Sequence, residues 1–314
     1  MIVTFTANPS VDRTVALGGP LHRGEVHRAC SVTEHPGGKG VNVARVVAAA
    51  GIDVVAVLPG TEGDPVLGAL AAAGIRCRAV STGAAPRVNL TLTEPDGTTT
   101  KINEPGHPID PGQRTELVAV LAGLAADARW VALSGSLPPG VPTGWYAELV
   151  AALRPARVAV DTSDQPLLEL VAALDTTAPD LLKPNAEELA QITGAEAIED
   201  PAAAARAAAT LVERGVGAVL ATLGAAGAVL VTREGAWSAT APRIVPRSTV
   251  GAGDSALAGY LLADVAGAAP ADRLRAAVAY GSAATALPGT ELPGPAHPDL
   301  AAVTVTALSP LPHL

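Results

Sequence analysis

Aromatic side chains are nearly missing from this sequence: its 314 residues include one Phe, three Tyr and three Trp. Since 49% of the residues are nonetheless hydrophobic, the core has to be built from Ala, Val and Leu, which calls for helices and sheet in close contact. Cysteine is as scarce. Cys30 and Cys77 have no Cys-x-x-Cys spacing and no His cluster beside them, so neither a disulfide framework nor a zinc site is signalled, and both are expected as buried thiols. Positive charge is short too. The 21 Lys and Arg against 30 Asp and Glu leave a net charge of −9, which argues against binding a nucleic acid, since a phosphate-tracking surface needs a basic face. No apolar run reaches the roughly 18 residues of a membrane span without a polar residue or Pro. The opening Met-Ile-Val-Thr-Phe-Thr-Ala-Asn-Pro lacks the basic flank and cleavage site of a signal peptide, so a cytoplasmic location is the expectation.

What the chain does have is a Gly-rich turn opening onto a helix. Residues 248–255 read Ser-Thr-Val-Gly-Ala-Gly-Asp-Ser and lead into a mostly apolar run over 256–267. Such a turn leaves backbone N–H groups unpaired at the positive end of a helix dipole, which makes an anion site. Asp254 would repel a bound phosphate there unless it faced a group with a proton to give, which points to a general base beside a phosphate cradle. The alternative is that Asp254 only satisfies the helix N-terminus.

The rest alternates strand and helix. Residues 2–7 read as a buried strand ending in Asn8-Pro9-Ser10, with Asp12 just beyond, and ligands collect at such carboxyl ends. Asp12 is either a substrate ligand or a turn residue. Residues 15–33 read as a small β excursion, and 87–103 as a hairpin turning at Pro95-Asp96-Gly97. Their Thr- and Asn-rich faces predict a small sheet over a cleft, or an ordinary sheet edge. Between them Gly37-Gly38-Lys39-Gly40-Val41-Asn42 feeds a helix with Val43, Val46 and Val47 on its apolar side. This is no Walker A loop, because Lys39 is followed by Gly40 and not by Ser or Thr. Further strands are expected at 54–58, 130–134, 157–161, 181–183, 218–222 and 228–232, giving a parallel sheet covered on both faces. Three strand ends stand out: Ser134-Gly135-Ser136, Lys183-Pro184-Asn185-Ala186-Glu187-Glu188, and Thr222-Leu223-Gly224-Ala225-Ala226-Gly227. Read plainly they are a turn, a helix cap and a glycine hairpin; they also suit a nucleoside triphosphate site, with Glu188 helping to place hydrated magnesium.

Taken together, Gly37 to Asn42, Asn185 to Glu188 and Ser248 to Ser255 resemble the two signature segments and the Asn-x-x-Glu motif of the ribokinase-like (PfkB) carbohydrate kinases. Asn8 to Asp12, Arg87-Val88-Asn89 and Lys101 to Gly106 look more narrowly like the bacterial 1-phosphofructokinase branch, with the tagatose-6-phosphate kinases next. The resemblance implies a Rossmann-like three-layer α/β/α domain over 1–314 with a small β-sheet lid formed by about 12–34 and 87–104. It implies a homodimer through that lid, with ATP and Mg2+ used in catalysis. By the same resemblance Asp254 is the base, and Gly251, Ala252 and Gly253 supply the anion hole. Asp12, Gly37, Gly38, Lys39, Asn42, Arg87, Asn103 and Ser134 hold the phosphosugar, with Arg28 as a further basic lid position. Lys183, Asn185, Thr222, Gly224, Gly227, Ser248, Gly281 and Ser282 line the nucleotide site, and Glu188 reaches the metal through water. The Pro-rich segment Leu292 to Pro298 departs from the pattern, so no monovalent-ion site is assigned.

The function implied is phosphoryl transfer from ATP to a phosphosugar, fructose 1-phosphate giving fructose 1,6-bisphosphate. Tagatose-6-phosphate kinase or 6-phosphofructokinase activity is the alternative within the family. Ribokinase and nucleoside kinase substrates are neutral and would leave Lys39 and Arg87 without an anionic partner. A sugar-phosphate-binding regulator that had lost its chemistry is the alternative of another class.

Overall fold

The strand Ile2–Thr6 (β1) reads Ile-Val-Thr-Phe-Thr and is buried at every position, as β-branched and aromatic residues without polar alternation should be when a strand is covered on both faces. The computed structural model describes residues 1–308; positions 309–314 of the expected domain lie outside the described residues. The small sheet described below contributes β2 (Ser10–Leu17) and β3 (Ala29–Gly37). In the large sheet β1 pairs in parallel with β4 (Val54–Pro59), which pairs with β5 (Arg76–Val80). On its other side come β8 (Trp130–Ser134), β9 (Val158–Asp161), β10 (Leu181–Leu182) and β11 (Ala218–Thr222), all parallel.

Beyond β11 the expectation of a parallel sheet fails, and the glycine-hairpin reading of 222–227 holds instead. The strands β12 (Ala228–Thr232), β13 (Gly235–Thr240) and β14 (Thr304–Ala307) pair antiparallel and complete a ten-stranded sheet. The reason is chain length. Only a single turn of 3₁₀ helix, Gly224–Ala226, separates β11 from β12, and a parallel crossover needs about a dozen residues or more.

Two apolar cores lie on opposite faces of this sheet. One holds side chains of α3 (Pro111–Ala125), α4 (Trp145–Ala152), α5 (Asp164–Ala172), α6 (Ala186–Thr193) and α7 (Pro201–Glu213). The other holds those of α1 (Lys39–Ala49), α2 (Pro65–Ala72), α8 (Ala252–Val265) and α9 (Pro270–Ala286). The far end of α8 is tied down by charge. Asp264 accepts from Trp130 Nε1 and Arg157 at 2.7 Å and pairs with Arg273 at 2.9 Å, while the Arg157 guanidinium lies 4.0 Å from the centroid of the Trp130 ring.

A separate four-stranded sheet has the order β3-β2-β6-β7, with β6 (Arg87–Thr93) and β7 (Thr99–Asn103). Its register puts Ser10, Asp12, Thr14, Arg87, Asn89, Thr91, Lys101 and Asn103 on one face, since alternate residues share a side. The opposite face carries Val15, Val32, Leu90, Leu92 and Ile102, of which Val32 and Ile102 are 54% and 55% exposed. Neither cysteine is the buried thiol expected. Cys30 lies exposed on β3 and Cys77 is half-buried on β5, because both sit on edge strands and not among the covered ones. Among the described residues no helix is long and apolar enough to cross a membrane.

Candidate active site

The carboxyl ends of β1, β8, β9, β10 and β11 form one rim of the large sheet, and the first turns of α1 and α8 face it. This is where parallel sheets present ligand-binding residues. At the start of α8, Gly251 has φ 75°, and a Cβ there would stand 2.7 Å from Leu292 Cδ2, so this turn requires glycine. The helix has no side-chain N-cap. Ser255 N–H donates to Gly251 O, whereas the N–H groups of Gly253 and Asp254 have no acceptor among the described residues. Orphaned donors at the positive end of a helix dipole fit a phosphoryl group.

Asp254 is 7% exposed, and Asn42 Nδ2 on α1 donates to its Oδ2 at 2.8 Å. Burial, and then the neighbouring charge of Asp161, push its carboxyl up to about 6, against the pull of Lys39, the Asn42 hydrogen bond and Lys183. Asp161, at the end of β9, is the residue that sequence reasoning missed. It is 1% exposed, and its oxygens meet Lys39 Nζ at 2.8 Å and Lys183 Nζ at 3.1 Å. Burial raises the Asp161 carboxyl, but Lys183 and Lys39 more than reverse this and hold it below the usual aspartate range. Burial likewise works against the charge on Lys39, yet Asp161 and Asp254 hold that ammonium above the usual lysine range. Lys183 Nζ also lies 3.3 Å from where a Cβ on Gly253 would stand. One buried carboxylate thus joins a lysine from the start of α1 to a lysine from the end of β10, directly beside Asp254.

On the small sheet Asp12 packs so closely on Gly37 that a Cβ there would lie 2.4 Å from its carboxylate. Gly38, the N-cap of α1, carries no side-chain cap either. Arg87 donates from Nε to Asn8 O at 3.3 Å and from Nη1 to Glu104 O at 2.9 Å; burial lowers its pKa, and Asp12 and Glu104 oppose that. Asn8 itself donates to Pro105 O at 3.0 Å and Ser136 Oγ at 3.4 Å, tying the two sheets together. Ser134 ends β8 fully buried, its Oγ without a partner among the described residues. Asn103 reaches the polar face of the small sheet through its register with Asn89. Arg28 is exposed ahead of β3, with no ion pair among the described residues, so this conformation does not bring it to the cluster.

The helix-cap reading of Asn185 holds in full. Its side chain accepts from Glu188 N–H, and Glu188 Oε2 accepts from Asn185 N–H, both at 2.8 Å. Asn185 also forms a parallel bridge to Thr222. Gly224 opens the 3₁₀ turn and Gly227 ends it. Ser248 N–H donates to Thr285 O on α9 at 3.3 Å, and its Oγ accepts from Val250 N–H at 3.2 Å. A Cβ on Gly281 would lie 3.2 Å from Ala252 O, so α9 touches the anion turn at Gly281, next to half-buried Ser282.

A family model described as pfkB family carbohydrate kinase matches residues 6–297. The chain is 38% identical over 295 residues to a 1-phosphofructokinase of Haloferax volcanii, covering 93% of each. It is 37% identical over 318 residues to one of Rhodobacter capsulatus, covering 97% of this chain and 96% of the relative. Phosphofructokinase-2 from Escherichia coli, solved in complex with substrates and products, superposes with a TM-score of 0.85 at 31% identity, over 93% of this chain and 94% of that one.

Proposed function

Because the chain belongs to the pfkB family of carbohydrate kinases, we propose that it transfers a phosphoryl group from ATP to the 6-hydroxyl of fructose 1-phosphate, giving fructose 1,6-bisphosphate. The observation that carries this reading is the meeting of a buried carboxylate, Asp254, with the uncapped N-terminus of α8 and two lysines. At pH 7 a group with a pKa of about 6 is ionised roughly ten to one and able to accept the hydroxyl proton. The N–H groups of Gly253 and Asp254 hold charge on the transferring group, and the neighbouring Lys39 and Lys183 help to neutralise it. Phosphoryl transfer asks mainly for such positioning.

Glu188 commits one oxygen to Asn185 N–H, and its other oxygen has no hydrogen bond among the described residues. That fits a magnesium ion held mostly by water and nucleotide oxygens, which needs few protein carboxylates. When bound, the ion supplies positive charge to the phosphates. Asn185, Thr222, Gly224 and Ser248 border the nucleotide, and Asp12 and Asn42 the sugar, whereas fully buried Ser134 presents no surface to it in this conformation.

Arg87 accounts for the choice of a phosphorylated sugar. In a chain of net charge −9 it stands half-buried beside the cleft, and a guanidinium grips phosphate through paired hydrogen bonds. Replacing it (Arg87→Ala) is expected to raise KM for fructose 1-phosphate by about tenfold to a hundredfold while leaving KM for ATP within about twofold. The deciding measurement is initial rates with fructose 1-phosphate, fructose 6-phosphate, tagatose 6-phosphate and ribose at equal concentration. Preference for ribose would overturn the anion site; preference for either 6-phosphate would overturn only the isomer. A regulator without chemistry would turn over none of them.

The small sheet serves as a lid, its polar face over the sugar and its apolar face against a second copy of the chain. Exposed Val32 and Ile102 are the natural contacts of such a homodimer. The pair Val32→Asp and Ile102→Asp is expected to convert dimer to monomer by light scattering; an unchanged mass would place the contact elsewhere.

A further inference from the structure

One row of the small sheet contains a side chain held in an orientation that leaves its own buried acceptor unpaired among the described residues. The register pairs His35 with Asp12, Asp12 with Asn89, and Asn89 with Asn103, so these residues form a rung across the polar face. Asn89 Nδ2 donates to Ser10 Oγ and to Asp12 Oδ1, each at 3.0 Å. Ser10 Oγ donates to the same Asp12 oxygen at 2.8 Å. Asp12 is therefore gripped through Oδ1 by two donors, and its Oδ2 has no hydrogen bond among the described residues.

The penalty for this arrangement falls on Asn89. Its own Oδ1 is sealed from solvent and has no hydrogen-bond partner among the described residues, although buried acceptors are nearly always paired. Turning the amide over would set its oxygen against the Asp12 carboxylate, so the orientation is dictated by Asp12. A residue kept for folding would not be expected to leave a buried acceptor unpaired.

We propose that Asn89 is a positioning residue for sugar recognition, fixing the Asp12 carboxylate so that Oδ2 meets a hydroxyl of the phosphosugar. This rests on the reading of Asp12 as a ligand of that sugar. It predicts a separation of stability from function. Asn89→Ala should lower kcat/KM for fructose 1-phosphate by about ten- to a hundredfold through KM, keep KM for ATP within about twofold, and leave Tm unchanged or higher, because the orphaned acceptor leaves with the amide.

The test is a double-mutant cycle with Asp12→Asn, run on whichever phosphosugar of the rate panel the wild type turns over best, with Tm measured for all four proteins. If Asn89 acts through Asp12, Asn89→Ala should change KM by less than about twofold in the Asp12→Asn background. An undiminished loss in that background would overturn the proposal, as would a fall in Tm of several degrees with both Michaelis constants rising together. The wild-type panel tests the kinase reading separately, and the Tm comparison bears on Asn89 whatever the panel returns.

Discussion

Asp254→Asn is expected to cut kcat by about 100-fold or more, about 3 kcal/mol of barrier or more, while nucleotide binding survives. The substitution keeps the shape and an oxygen for Asn42 Nδ2, which donates at 2.8 Å, and removes the negative charge and with it the ability to take a proton. In the wild type the base must be ionised, so with its carboxyl at about 6 the rate falls as pH drops through that value; the variant's residual rate should lack this step. Stability should move the other way. A carboxyl raised above its ordinary value leaves the native state holding more protons than the unfolded one, so its contribution is favourable at low pH and is lost as pH rises towards 6. Removing the ionisation relieves that penalty, up to about 3 kcal/mol at neutral pH, and the variant should melt higher. Near-normal turnover, with chemistry shown to be rate-limiting, would rule out Asp254 as the base.

Asp161→Asn is expected to be costly in a different way. It leaves Lys183, 4% exposed, without its counter-charge, and breaking a buried pair from one side destabilises by about 3–5 kcal/mol. The acid limb of the kcat profile should also move to lower pH, because the Asp161 charge is one of the two influences that raise Asp254. Linkage gives a further signature. Asp161 is held below the usual aspartate range, so in the wild type its stabilisation is present above about 3.9 and is lost as pH falls through the lower folded value. The variant should lack that acid-side loss. An unchanged acid limb in a folded variant would mean that Asp254 does not sense Asp161.

Local chemistry made half of this site legible and tertiary distance hid the rest. The anion turn could be read because Gly251, Gly253 and Asp254 adjoin one another and open onto an apolar run, so turn, dipole and carboxylate are coded within a few residues. Asn185 was legible as a helix cap for the same reason, and the structure adds the return bond from Glu188 that completes a capping box. Asp161 was not. In sequence it ends a strand in Val-Asp-Thr-Ser, while Lys39 lies 122 residues away, and only the parallel pairing of β9 with β10 and the packing of α1 on β1 and β8 bring the two lysines to it. Asn89 carried a family motif, but its bond to Asp12 exists only because β2 and β6 lie parallel. The antiparallel end of the large sheet was obscured where β13 meets β14, strands separated by two helices and a Pro-rich segment.

Among the described residues the order of the large sheet leaves β5 and β14 as its two margins, and there each offers an unpaired row of backbone groups to any chain that drifts alongside. Their side chains are suited to refuse such a partner. On β5, Arg76 and Arg78 are exposed, with Arg76 paired to Asp53 at 2.5 Å, and on β14, Thr304 and Thr306 face solvent. Charge on a margin strand makes stacking of like chains repulsive, whereas threonine alone does little to prevent it. Clumping during refolding should therefore begin at the β14 side, and a lysine placed at Thr306 should raise the yield of soluble protein more than any change on β5.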